Sequence, residues 1–69
     1  MVMIKFGENL RLLMKETRIN QVNLSKKIGV AQSAISAWLS GKKEPSITSL
    51  WLLADFFGCS VDELIGRNF

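Results

Sequence analysis

Histidine and tyrosine are absent from this chain, and cysteine and proline occur once each, as Cys59 and Pro45. With no imidazole and one thiol, no zinc site can be assembled, and no disulfide can close within the chain. The same gaps remove the usual bases that activate a nucleophile, and Cys59 has no evident base partner, so no catalytic residue and no cofactor are expected. Long apolar runs are missing as well. The longest, Leu50 to Ala54, with Phe56 to Phe57 just beyond it, is far below the roughly 20 residues needed to span a bilayer. The opening MVMIKFGENLR carries Lys5 and Glu8 where a signal peptide would need an apolar core. These absences predict a soluble, non-enzymatic protein of the reducing cytoplasm.

What the chain does have is apolar surface and a mild excess of positive charge. A chain of 69 residues buries only about 60% of its unfolded surface and has room for one core, so residues 1–69 are read as a single domain. A hydrophobic fraction of 48% argues for a packed domain rather than a disordered tail. That fraction is high for the size, which predicts that some surface is covered by a second copy. Nine basic against six acidic residues give a net charge of +3, which favours a polyanionic partner. Lys26, Lys27, Lys42 and Lys43 all fall within 18 residues. Taken alone, that cluster reads equally well as solvated helix faces.

Apolar spacing and stop signals predict five helices and no strand. Phe6, Leu10, Leu13 and Met14 recur at helical intervals, giving a first helix from Phe6 to Glu16 and a turn at Thr17 to Ile19. Asn20 is a good N-cap for a second helix over Gln21 to Ile28, ended by Gly29. A third runs from Gln32 to Leu39 and is closed by Gly41. Its cap position falls on Ala31, which forfeits about 1 kcal/mol. After the loop GKKEPS, Ser46 caps a fourth helix that reaches Phe57 before Gly58. Ser60 and Glu63 form the S-x-x-E capping box of a short fifth helix, Val61 to Ile65, closed by Gly66. Fraying is expected at Met1 to Ile4 and at Arg67 to Phe69.

The second and third helices carry the most specific pattern. Leu24, Ile28 and Val30 supply apolar contacts from one side, and Ile35 and Trp38 from the other. Ser25 is small where two helices would cross closely, and Gly29 sits where the turn requires positive φ. A plain helical hairpin needs no such set of fixed offsets. The stretch from Gln21 to Ser40 therefore reads as a helix-turn-helix.

On the segments INQVNLSKKIGV, AQSAISAWLSGKKEPS and LADFFGCSVDELIG, the run from Leu10 to Ile65 resembles the Cro/CI-type (XRE-type) helix-turn-helix domain of phage repressors and related bacterial regulators. The resemblance implies an all-α, five-helix, lambda-repressor-like fold. It also implies a DNA-binding transcriptional regulator, usually a homodimer on a two-fold-related operator. Where members of that family often bury an Arg–Glu pair, this chain has Met14 and Leu39, consistent with an ion pair exchanged for an apolar contact. Where many members have Ser or Thr, it has Ala31.

In such a motif the third helix enters the major groove of double-stranded DNA. The residues expected at base edges are Gln32, Ser33, Ser36 and Ala37. Gln32 is the strongest candidate, because one planar amide can both donate to N7 and accept from N6 of adenine. Ile35 and Trp38 should face inward. The resemblance implies DNA-backbone contacts from Asn20 and Gln21 at the positive end of the second helix. It implies the same for Ser40, Gly41, Lys42 and Lys43 in the segment that follows the third. Gln21 is also placed to brace Gln32.

Leu50, Leu53, Ala54 and Phe57 form the inward face of the fourth helix. Trp51, Leu52 and Phe56 are left over, and Leu52 and Phe56, four apart, are read as a self-interface that Phe69 could join. Two other functions compete for the same residues. An enzyme finds no support, since Gly41-Lys42-Lys43 lacks the upstream glycines of a phosphate loop. A protein-interaction module on the same fold, such as an antitoxin with a regulatory protein partner, would more often show aromatic or leucine anchors on the third helix.

Overall fold

A computed structural model describes residues 6–66 of the chain. The fraying expected at Met1–Ile4 and Arg67–Phe69, and any part played by Phe69, lie outside the described residues. Within them the elements are α1 (Phe6–Thr17), α2 (Gln21–Ile28), α3 (Gln32–Ser40), α4 (Ile47–Phe57) and α5 (Val61–Ile65), and no strand occurs. No described helix is long and apolar enough to cross a membrane.

Two helix ends lie beyond their expected positions. Thr17 belongs to α1 rather than to the turn: its hydroxyl donates to the Leu13 carbonyl at 2.8 Å, which carries the last turn one residue further. The reversal falls on Arg18, which takes a left-handed φ of 56°. Ser40 likewise belongs to α3, where its hydroxyl donates to the Ala37 carbonyl at 3.1 Å. Both hydroxyls are thereby satisfied within their own helix, as Ser and Thr side chains are when they bond to a carbonyl three or four residues back.

The caps are as the residue types require. Asn20 Oδ1 accepts from the Asn23 amide at 2.8 Å, and Ser46 Oγ from the Ser49 amide at 3.1 Å. Ser60 and Glu63 close both bonds of their capping box. Ala31 offers no side-chain cap; its carbonyl accepts from the Ala34 amide at 3.0 Å, which leaves the amides of Gln32 and Ser33 uncapped by their own sequence. Gly29 ends α2 at φ 74°, a value that lets its amide return to the Ser25 carbonyl and turn the chain into α3.

All five helices feed one core, built from Phe6, Leu10, Met14, Leu24, Ile28, Ile35, Trp38, Leu50, Leu53, Ala54 and Leu64. Leu10, Leu24, Ile35, Leu53 and Leu64 are fully enclosed, where truncation to alanine costs about 2–5 kcal/mol. Met14 is buried and Leu39 packs half-buried against the same core, so an apolar environment occupies the place of an ion pair. α1 spans the assembly. At one end Phe6 meets Trp38 edge to face, and in the next turn Asn9 Nδ2 donates to the Glu63 and Leu64 carbonyls at 3.3 and 3.2 Å, tying α1 to the end of α5.

Candidate nucleic-acid interface

The surface of α3 divides cleanly. At about 100° per residue, Ala34, Ile35, Trp38 and Leu39 occupy one arc, and Gln32, Ser33, Ser36, Ala37 and Ser40 the opposite one, about 140° wide. Burial follows this division. Ile35 and Trp38 are buried and Ala34 and Leu39 half-buried, while Gln32, Ser33, Ser36 and Ser40 are exposed. Ala37 is half-buried, because its position at the edge of the outward arc brings its methyl group toward the domain. The outward arc is short and polar: one amide and small hydroxyls, with no aromatic or leucine.

At the start of α2, Asn20 uses its carbonyl oxygen on the Asn23 amide, which leaves its Nδ2 group for an outside acceptor. Gln21 is half-buried, and no hydrogen bond between it and Gln32 is present, so the bracing expected of it is not made in this conformation. The first amides of a helix lack internal acceptors and lie at the positive end of its dipole, which makes this end suited to an anion.

The segment after α3 is organised around a single oxygen. The Ala37 carbonyl accepts from the amides of Gly41, Lys42 and Lys43 and from the Ser40 hydroxyl. Ser40 and these three amides therefore have their protons engaged within the turn. What the segment presents outward is the two exposed lysine side chains of Lys42 and Lys43. Of the four residues expected at the DNA backbone, Lys42 and Lys43 expose their charges, and Ser40 and Gly41 form the turn that carries them. Lys26 and Lys27 at the end of α2 are exposed as well.

On α4, Leu52 is 40% and Phe56 37% exposed, so both are solvent-accessible as expected. The more open apolar pair is a different one. Ile47 is 75% and Trp51 66% exposed. At 100° per residue the two pairs lie on opposite flanks of α4, about 140° apart, with Thr48 and Asp55 between them. Ile47 escaped the sequence reading because it directly follows the Ser46 cap, where an isoleucine passes for a core residue. Its position in the heptad, four before Trp51, is the signal that places the two together. Leu12 and Val22 are further exposed apolar residues that periodicity did not single out.

A concavity of about 220 Å³ lies between α1 and α5 and is lined by Asn9, Leu12, Leu13, Glu16, Cys59 and Glu63. Burial, and then the nearby Glu63 carboxylate, raise the Cys59 thiol above its ordinary value, which keeps it protonated and unreactive near neutrality.

Comparison with known proteins bears on the family and the fold. A family described as helix-turn-helix matches residues 10–64. The HTH-type transcriptional activator BcrR of Enterococcus faecalis is 36% identical over 62 residues, covering 90% of this chain and 30% of that protein. Repressor protein C2 of Salmonella phage P22 is 37% identical over 59 residues, covering 86% of this chain and 27% of the phage protein. The chain thus spans less than a third of either relative. A crystal structure of a transcriptional regulator from Listeria innocua superposes with a TM-score of 0.85 at 33% identity, over 93% of this chain and 60% of that one.

Proposed function

The chain belongs to the helix-turn-helix family whose match runs through residues 10–64, and from that premise we propose that it is a sequence-specific DNA-binding transcriptional regulator, acting as a repressor on a two-fold-related operator as a homodimer. The observation that carries this reading is the division of α3, with Ile35 and Trp38 buried and Gln32, Ser33 and Ser36 exposed on one polar arc. A helix so faced fits the major groove, where Gln32 pairs with an adenine edge, the serines accept or donate to several bases, and Ala37 lies near a thymine methyl. Asn20 and Gln21 hold a phosphate at the start of α2. Lys42 and Lys43 attract the next stretch of backbone as point charges, which positions the protein without reading sequence.

Few phosphate contacts make one domain a weak binder, and two copies on half-sites about one helical turn apart reinforce each other. Leu52 and Phe56 form the surface for that pairing. The test is selection of bound duplexes from a random DNA pool, followed by comparison of the winning site with random DNA at two salt concentrations. An enriched, two-fold-symmetric site bound far more tightly than random DNA is the expected result. Absence of any enrichment, with weak and wholly salt-sensitive binding, refutes the reading and redirects it to a protein partner.

A further inference from the structure

Helix α3 carries no basic residue in its last turn and no acidic one in its first, so nothing within it balances its dipole. Its C-terminal end is met instead by α1. Phe6 lies against Trp38 with ring centroids 6.2 Å apart. At the next residue, a Cβ added to Gly7 would stand 3.0 Å from the carbonyl oxygens of both Trp38 and Leu39. Those oxygens belong to helix backbone and cannot rotate aside, so a methyl group here would push the two helices apart by a few tenths of an ångström. One turn on, Arg11 Nη2 donates to the Leu39 carbonyl at 3.4 Å and brings a positive charge to the negative end of α3.

Building on the DNA reading above, we propose that Gly7 and Arg11 are positioning residues for base recognition. The bare backbone at Gly7 and the guanidinium of Arg11 seat the last turn of α3 on α1, and so fix the angle at which Gln32, Ser33 and Ser36 meet the groove. Neither residue belongs to the outward arc of α3 or to the loop after it. Seven residues separate Leu39 from Gln32, about 10 Å along the axis. A tilt of about 5° at the seated end displaces the far end by about 1 Å over that length. Recognition of a base edge by a planar amide tolerates about half of that.

The experiment uses the full chain and its selected operator, with Gly7→Ala, Arg11→Met, Arg11→Lys and, as a control, Asn9→Ala. Asn9 is on the same helix but bonds to the end of α5, so its loss loosens α1 without touching α3. For each variant the ratio of operator to random-DNA affinity, its salt slope, and the orientation of α3 relative to α2 by residual dipolar couplings are measured. In Gly7→Ala, α3 turns and the ratio falls about tenfold, the order of one lost bidentate base contact, with the salt slope unchanged. Arg11→Met lowers the ratio in the same way and Arg11→Lys recovers part of it, while Asn9→Ala leaves it alone. If Gly7→Ala does not fold, the two Arg11 variants decide the matter by themselves.

An α3 orientation unchanged in Gly7→Ala overturns the inference, as does a ratio that stays within twofold of wild type or falls equally in Asn9→Ala. A salt slope reduced by about one in Arg11→Met also overturns it, by making Arg11 a direct phosphate contact. A wild-type chain that enriches no DNA site removes the DNA reading itself and the positioning role with it. That result is distinct from a wild type that selects a site and variants that keep its specificity.

Discussion

Among single residues, Gln32 carries the sharpest expectation. It is the one long polar side chain on the outward arc of α3, so Gln32→Ala should weaken the best operator by about 1–3 kcal/mol and leave random DNA nearly unchanged. Equal losses on both DNAs would remove Gln32 from base readout. Lys42→Ala should act the other way, lowering affinity for all sequences alike and reducing the salt slope by about one. Titrations at several salt concentrations separate the two. Cys59 gives a pH prediction. Its folded-state value is raised, first by burial and then by Glu63, so the stability it contributes is complete below the unfolded thiol value and is lost as pH rises through the folded one. The slope of stability against pH on the alkaline side should therefore flatten in Cys59→Ala. Glu63→Gln keeps the acceptor that Ser60 N–H uses at 2.9 Å while removing the charge, so alkylation of Cys59 should quicken at a given pH.

Among the elements, α3 has a weak start and α1 a wide reach. Ala31→Ser should supply the missing side-chain cap and raise stability by about 1 kcal/mol, read as a shift in the urea midpoint without change in its slope. Asn9→Ala should lower stability by about 1 kcal/mol or somewhat more, since it leaves the end of α5 without its donor. Helix number, order and most ends were legible in the sequence, because Asn20, Ser46, Ser60 and the glycines act through bonds within three or four residues. The two extensions at Thr17 and Ser40 depend on hydroxyl rotamers that composition does not reveal. The inward and outward faces of α3 were also readable from spacing. The seating of Gly7 against Trp38 and Leu39 was not, since it depends on how closely two helices approach once the core has formed. The engagement of the loop amides by the Ala37 carbonyl was equally hidden, because it requires the geometry of the turn.

For the molecule as a whole, assembly can be followed through its two tryptophans. Trp38 is buried and Trp51 is 66% exposed, so collisional quenching reports almost entirely on Trp51. If Leu52 and Phe56 form the two-fold contact, Trp51 should stay equally quenchable as concentration rises, while Leu52→Glu should abolish the dimer in sedimentation and the advantage of two half-sites over one. Protection of Trp51 on self-association would instead assign the contact to the Ile47–Trp51 flank. The bonds from Asn9 to carbonyls 54 and 55 residues later also bear on how the chain is made. During synthesis α1 emerges before the other four helices, yet the groups that hold it across α5 are among the last of residues 6–66 to emerge. The helix-turn-helix and the α1 contacts to Trp38 and Leu39 can form earlier, but the bonds that tie α1 to α5 form only once Leu64 has emerged. The last step in closing residues 6–66 is therefore the joining of the two most distant helices in the sequence, α1 and α5.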